Sequence, residues 1–188
     1  MNKFLVIFLF IVSVSVADAQ MIDYAHFDNH LFEKTLFNKL NEYRTQKNID
    51  TLVWSNVIYK EIALRNISII IAKDVLFHPD MRDVWDSLRV RQLIAAESDE
   101  LFGIYAFPDN INRLSFSFFE NIYRTSIVET TYEELAERAI QGWNKSPKHN
   151  ATQYASFKVN GKPGVAACAV GVSGNNLYIT FDFVSLVR

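Results

Sequence analysis

The chain has 188 residues, a formal net charge of −2 and 49% hydrophobic residues. That is enough apolar material for one packed domain and too much for a disordered chain. No basic run or arginine-rich helix is present, which argues against a nucleic-acid partner. Cys168 is the only cysteine, so no internal disulfide is available and stability has to come from packing.

Residues 1–19 read as a secretory signal peptide. A short charged start, Asn2-Lys3, precedes an apolar stretch from Phe4 to Val16, and Ala17-Asp18-Ala19 forms an A-x-A cleavage pattern. The apolar stretch is shorter than the ~20 residues of a spanning helix, and no cysteine stands at the cleavage point for lipid attachment. The expected location is therefore secreted or periplasmic, with no transmembrane anchor in the mature chain. Residues 20–188 are then a single folded domain.

In that domain Phe32, Leu36, Leu40 and Tyr43 recur on one helical face, predicting a helix from Asn29 to Gln46. Glu33, Lys34, Asn41, Glu42 and Arg44 are expected on its wet side, and Lys47-Asn48 at its left-handed end. Leu52-Val53-Trp54 leads to Ser55, a helix N-cap, with Trp54 and Tyr59 set to staple it. Two apolar rows through Ile70 predict a well-buried second helix. The chain leaves that helix at Asp74. Phe77-His78-Pro79-Asp80 is expected to be extended, because a residue before proline avoids the helical region.

Residues 81–118 are less regular. Val84 to Ala96 suggests a helix, Phe107-Pro108-Asp109-Asn110 a turn, and Leu114 to Phe118 a short alternating strand. Thr131-Tyr132-Glu133-Glu134 is a capping box. It opens a helix whose apolar face carries Tyr132, Leu135, Ala136, Ala139, Ile140 and Trp143, with Pro147 as its stop. Three strands are expected at the end: Tyr154 to Val159, Gly164 to Val172 and Leu177 to Val187. Asn160-Gly161 and Gly174-Asn175-Asn176 are the turns between them. Helices first and strands last give an α+β layered domain.

Several short motifs stand in a telling order. Leu40-Asn41-Glu42-Tyr43-Arg44 ends the first helix, and Leu52-Val53-Trp54 precedes the second. His78 follows the second helix, and Glu120-Asn121-Ile122 lies downstream. Trp143-Asn144-Lys145-Ser146-Pro147-Lys148-His149 closes the capped helix, and Tyr178 to Phe183 lies in the last strand. Together these resemble the CAP superfamily (SCP/PR-1-like, the cysteine-rich secretory, antigen 5 and pathogenesis-related 1 proteins) in its bacterial secreted form. The resemblance covers nearly all of residues 29–187. It implies a three-layer α-β-α sandwich with a central antiparallel sheet and a groove lined by histidines and acids. His78 and His149 stand at the positions of the histidines, and Glu120 at that of the first acid. The second acid position holds Ser146, and the 81–118 interval is longer than usual, as an insertion would be.

Two imidazoles and a carboxylate suit Zn²⁺ with water in an open position. His78, Glu120 and His149 are therefore the candidate metal ligands for a weakly held zinc, and with Ser146 the candidate ligand-binding residues. The bland alternative is a polar network that orders loops. The resemblance implies a non-enzymatic module that meets an extracellular ligand or protein. Alternatives are a metal-dependent hydrolase using the same groove, and a carrier of a sterol- or lipid-like molecule built on the aromatics of residues 102–119. Ser146 beside His149 also has the form of a nucleophile, but Ser-Pro at a helix end is more often a cap, and no acid is placed to orient the histidine. Cys168, among small apolar neighbours, reads as a buried thiol. His26 and His30 have metal-binding i, i+4 spacing, at a terminus expected to be frayed.

Overall fold

The computed structural model describes residues 21–103, 115–159 and 161–187. The proposed signal peptide and the 107–110 turn lie outside them.

Asp28 caps the first helix, α1 (Asn29–Gln46), by accepting from Leu31 N–H. Asn48 takes the left-handed conformation after its end, with φ of 56°. A two-residue strand, β1 (Val53–Trp54), follows. Ser55 then caps α2 (Asn56–Ile58), and the Trp54 and Tyr59 rings meet 5.4 Å apart across that cap. The helix continues through a π-helical turn, Tyr59–Ala63, into α3 (Leu64–Lys73). Asp74 ends it in the left-handed region and accepts from the Tyr178 hydroxyl at 2.9 Å. The 76–80 segment is neither helix nor strand.

The single helix expected over 84–96 is two. α4 (Arg82–Trp85) is broken at Asp86, and Ser87 caps a new helix, α5 (Leu88–Phe102). The short strand expected at 114–118 runs on as β2 (Ser115–Ser126), so Glu120-Asn121-Ile122 is strand and not loop. The capping box on Thr131 is formed in full and opens α6 (Tyr132–Asn144), with the six expected residues buried. Pro147 does more than stop that helix: it is the first residue of α7 (Pro147–Gln153), where its missing N–H costs nothing. Regular strand accordingly starts later than Tyr154, at β3 (Lys158–Val159). β4 (Lys162–Pro163), β5 (Val165–Ser173) and β6 (Asn176–Val187) complete the sheet.

β6 is the centre of the sheet. It pairs antiparallel with β2 along one side and with β5 along the other. β1 adds to β5 in parallel, and β3 meets β6 in parallel at Val159 and Leu186. Alternation sends Cys168, Val170, Ile179, Phe181 and Phe183 to one face, where they pack on α1 and α6. Val165, Ala167, Ala169, Tyr178 and Val184 face the helices of residues 56–102. The architecture is the α+β three-layer sandwich that the resemblance implies, except that the sheet is mixed, antiparallel through β2, β6 and β5 and parallel where β1 and β3 join it.

Two expectations for α1 fail. Glu33 and Arg44 are buried, at 1% and 0% exposure. Arg44 donates to the carbonyls of Asp50, Gln153 and Ala155 and so ties the end of α1 to the end of α7. Glu33 accepts from Val170 N–H in β5. Burial pushes its carboxyl up to about 7.

Candidate functional site

His78 stands in the irregular segment after α3. Its start is fixed by Asp74 on Tyr178 and by the Lys73 ammonium over the Phe77 ring at 4.6 Å. Glu120 comes from β2 and His149 from α7. Trp143 Nε1 donates to Ile122 O at 2.9 Å, and Asn121 Nδ2 donates to His149 O at 3.0 Å. These two bonds fasten the α6–α7 corner to β2 and bring His149 over the strand. Asn121 thus bonds backbone from within a strand.

The three residues meet in a row. His78 Nδ1 lies 2.6 Å from Glu120 Oε2, and the other ring nitrogen, Nε2, lies 3.5 Å from His149 Nε2. Glu120 is 5% exposed at its side chain and His78 is 45% exposed. A carboxylate on Nδ1 selects the tautomer that leaves Nε2 with its lone pair. Burial holds the His149 imidazole below the usual histidine range, helped by the nearby His78 and Lys148 and opposed by Glu120.

Ser146 is placed differently. Its hydroxyl accepts from His149 N–H as the N-cap of α7. Of the described aromatics in the 102–119 segment, Phe116 and Phe118 lie towards Trp85, whereas Phe119 lies against Phe157 on the opposite face. The 82–102 helices pack on the sheet beside the groove, through Val84, Val90, Ile94 and Ala95. Cys168 is fully buried and burial pushes its thiol up. His26 bonds Asp23 at 2.7 Å.

Beneath Glu120 lies a buried polar tier that the motif reading did not identify. Glu120 stands opposite Asp182 in the β2–β6 register. The amide of Asn66, from α3, donates to Glu120 Oε1 and also lies 3.2 Å from both Thr180 Oγ1 and Asp182 Oδ1. Thr180 Oγ1 is 3.0 Å from Asp182 Oδ2 and 3.4 Å from Glu120 Oε1. Two carboxylates side by side away from water do not both ionise. Burial, with Glu120 alongside, pushes the Asp182 carboxyl well above the usual carboxylate range. The Thr180 hydroxyl donates to Asp182 Oδ2, and Glu120 Oε1 is also within its reach. So a second acid stands behind Glu120, from β6, and not at the position of Ser146. Its signal was legible: Thr180 and Asp182 alternate with Ile179, Phe181 and Phe183 in an otherwise apolar strand.

In fold the chain is similar to an outer surface protein from Borrelia burgdorferi. The TM-score is 0.51 at 15% identity, over 89% of this chain and 98% of that one. A cysteine-rich secretory protein from Staphylococcus aureus overlaps with a TM-score of 0.47 at 16% identity, over 84% of this chain and 39% of that one. No protein-family model matches the sequence, and no curated protein matches it. The likeness to the Borrelia protein spans both chains almost end to end and is one of fold alone. Among the described residues, no helix is long and apolar enough to cross a membrane.

The spacing of its nitrogens bears on whether the groove suits a metal. Two imidazole nitrogens on one tetrahedral zinc, each at ~2.0–2.1 Å, stand about 3.4 Å apart. The Nε2 atoms of His78 and His149 stand 3.5 Å apart. Glu120 faces the other nitrogen of His78, so the three side chains do not converge on one point. Among the described residues no group of three or more His, Cys, Asp or Glu is placed to hold an ion. What the structure places together is two imidazole nitrogens facing each other, with a carboxylate behind one ring.

Proposed function

We propose that this chain is an extracellular CAP-like module that holds a divalent cation, Zn²⁺ in the first instance, between His78 and His149, and through it a ligand or protein partner. The observation that carries the reading is the 3.5 Å approach of the two Nε2 atoms, with Nδ1 of His78 on Glu120. The ordered motifs, the secretory pattern of residues 1–19 and the fold likeness to a surface protein support the extracellular setting. His78 and His149 hold the ion; Glu120 orients His78. Asn66, Thr180 and Asp182 hold Glu120. A bound cation supplies a Lewis-acid contact for an oxygen or nitrogen of the partner. With only two protein donors the affinity is weak, in keeping with a module that meets a ligand and not with a stored structural metal.

Calorimetric titration of Zn²⁺ into the metal-stripped protein tests this reading. One ion per chain is expected, with binding abolished in both His78→Ala and His149→Ala. Glu120→Gln is expected to weaken it about 10- to 100-fold. Binding that survives either histidine substitution would remove the groove from the account.

A further inference from the structure

A second site lies at the opposite edge of the sheet. The strand order β2-β6-β5-β1 places the histidine groove at the β2 edge. Between α1 and the β1–α2 corner, at the β1 edge, a cavity of about 400 Å³ is lined by His30, Lys34, Phe37, Asn38, Trp54 and Asn56. That volume lies within the ordinary range for small-molecule sites.

Its wall is aromatic. Phe37 meets Trp54 edge-on at 5.2 Å, and Trp54 is backed by Tyr59 at 5.4 Å. Phe37 and Tyr59 both contact the indole and hold it in place. The polar groups around it are mainly donors. His30 and Lys34 are one turn apart on α1, and neither makes an ion pair among the described residues. Asn56 Oδ1 accepts from Trp54 Nε1 at 3.3 Å, which leaves the Asn56 amide N–H groups for a ligand. Asn38 adds a second amide.

The two acids nearby are committed elsewhere. Glu33 is turned into the core and accepts from Val170 N–H. Glu97 accepts from the Ser55 hydroxyl and from the N–H groups of Asn56 and Val57, so its charge is spent on the start of α2. An aromatic wall with a cationic, donor-rich rim and no lining carboxylate selects one ligand class.

We infer that this cavity binds a small organic anion with a flat apolar body, such as an aromatic carboxylate. The body lies on Trp54 and Phe37, and the acid group meets Lys34, His30 and the two amides. This site is independent of the metal groove.

The test uses 2-naphthoate and its uncharged counterpart 2-naphthamide, titrated into the isotopically labelled protein and followed by NMR. The expected result is saturable one-to-one binding of naphthoate, with shifts at the Trp54 indole and the Asn38 and Asn56 side-chain amides. Lys34→Glu, a change at an exposed helical position, is expected to weaken naphthoate about tenfold while the naphthamide affinity holds within about twofold. His78→Ala is expected to change neither. Three outcomes would overturn the inference: no saturable shift, shifts centred away from these residues, or the same response of both probes to Lys34→Glu.

Discussion

Glu33 and Asp182 show how a buried acid makes stability depend on pH. Glu33 has an ordinary value of 4.5 and is pushed up to about 7 in the fold. The folded state therefore binds its proton more tightly than the unfolded chain does. The stabilisation is complete below about pH 4.5 and is lost as pH rises through about 7, on the order of 2–3 kcal/mol in all. Glu33→Gln keeps the acceptor for Val170 N–H and removes the ionisation. Urea denaturation of both proteins at pH 5 and pH 8 is expected to find the variant gaining on the wild type by about 2 kcal/mol at the higher pH; a constant difference would refute the buried, proton-binding Glu33. Asp182 follows the same sign, its carboxyl being raised by burial and by Glu120. Asp182→Asn is thus expected to cost less than about 1 kcal/mol, because the neutral amide reproduces the protonated acid. Asn66→Ala is expected to cost about 2–4 kcal/mol, since it strips the donor shared by two buried acids. Equal costs for the two changes would contradict a neutral Asp182. These roles were only partly legible in the sequence. Glu33 sits at a charged position one residue from the apolar stripe of α1, and a period alone does not say how wide the buried face is. Asp182 was legible as a polar break in an apolar strand, although its partner Asn66, 116 positions away, was not.

Two helix placements decide the geometry of the groove. α3 lies so close to β5 that a Cβ at Gly171 would meet Ile71 Cγ2 at 2.8 Å and Ile67 Cγ1 at 3.2 Å. That approach lets Asn66 reach Glu120 and Asp182. Gly171→Val is expected to destabilise the protein by about 1–3 kcal/mol through overpacking. It should also move the Asn66 side-chain amide resonances, whereas unchanged resonances would show that α3 is not held by this contact. α7 is placed by Arg44, which offers its guanidinium to the carbonyls of Gln153 and Ala155. Arg44→Met is expected to cost about 2–4 kcal/mol by leaving buried carbonyls unpaired, and to speed hydrogen exchange in α7 more than in α6. The spans of α1 and α6 were largely legible, α1 from its apolar stripe and α6 from its stripe and capping box. α7 was not, because a proline three residues past α6 signals a stop as well as it signals the first residue of a new helix. The full length of β2 was hidden for a related reason. Its middle carries Glu120 and Asn121, which break the apolar alternation where the site is built.

At the scale of the whole molecule, a three-layer sandwich presents chemistry at both edges of one sheet. The order of helices and strands and the run of motifs were enough to give the architecture and to single out His78, Glu120 and His149. They were not enough to give the roles, because which nitrogen of His78 faces Glu120 depends on how α3, β2 and α7 meet. In the proposed function Glu120 holds the Nδ1 proton of His78, so that its Nε2 faces His149 Nε2 and the two take one cation between them. Imidazole ¹⁵N NMR of the metal-free protein, repeated during Zn²⁺ addition, tests this. The expected result is His78 as the Nδ1-protonated tautomer, reverting towards the ordinary tautomer mixture in Glu120→Gln, and Nε2 signals of His78 and His149 that move together and saturate at one ion per chain. An Nε2-protonated His78, or histidine signals that respond to zinc separately or not at all, would contradict it.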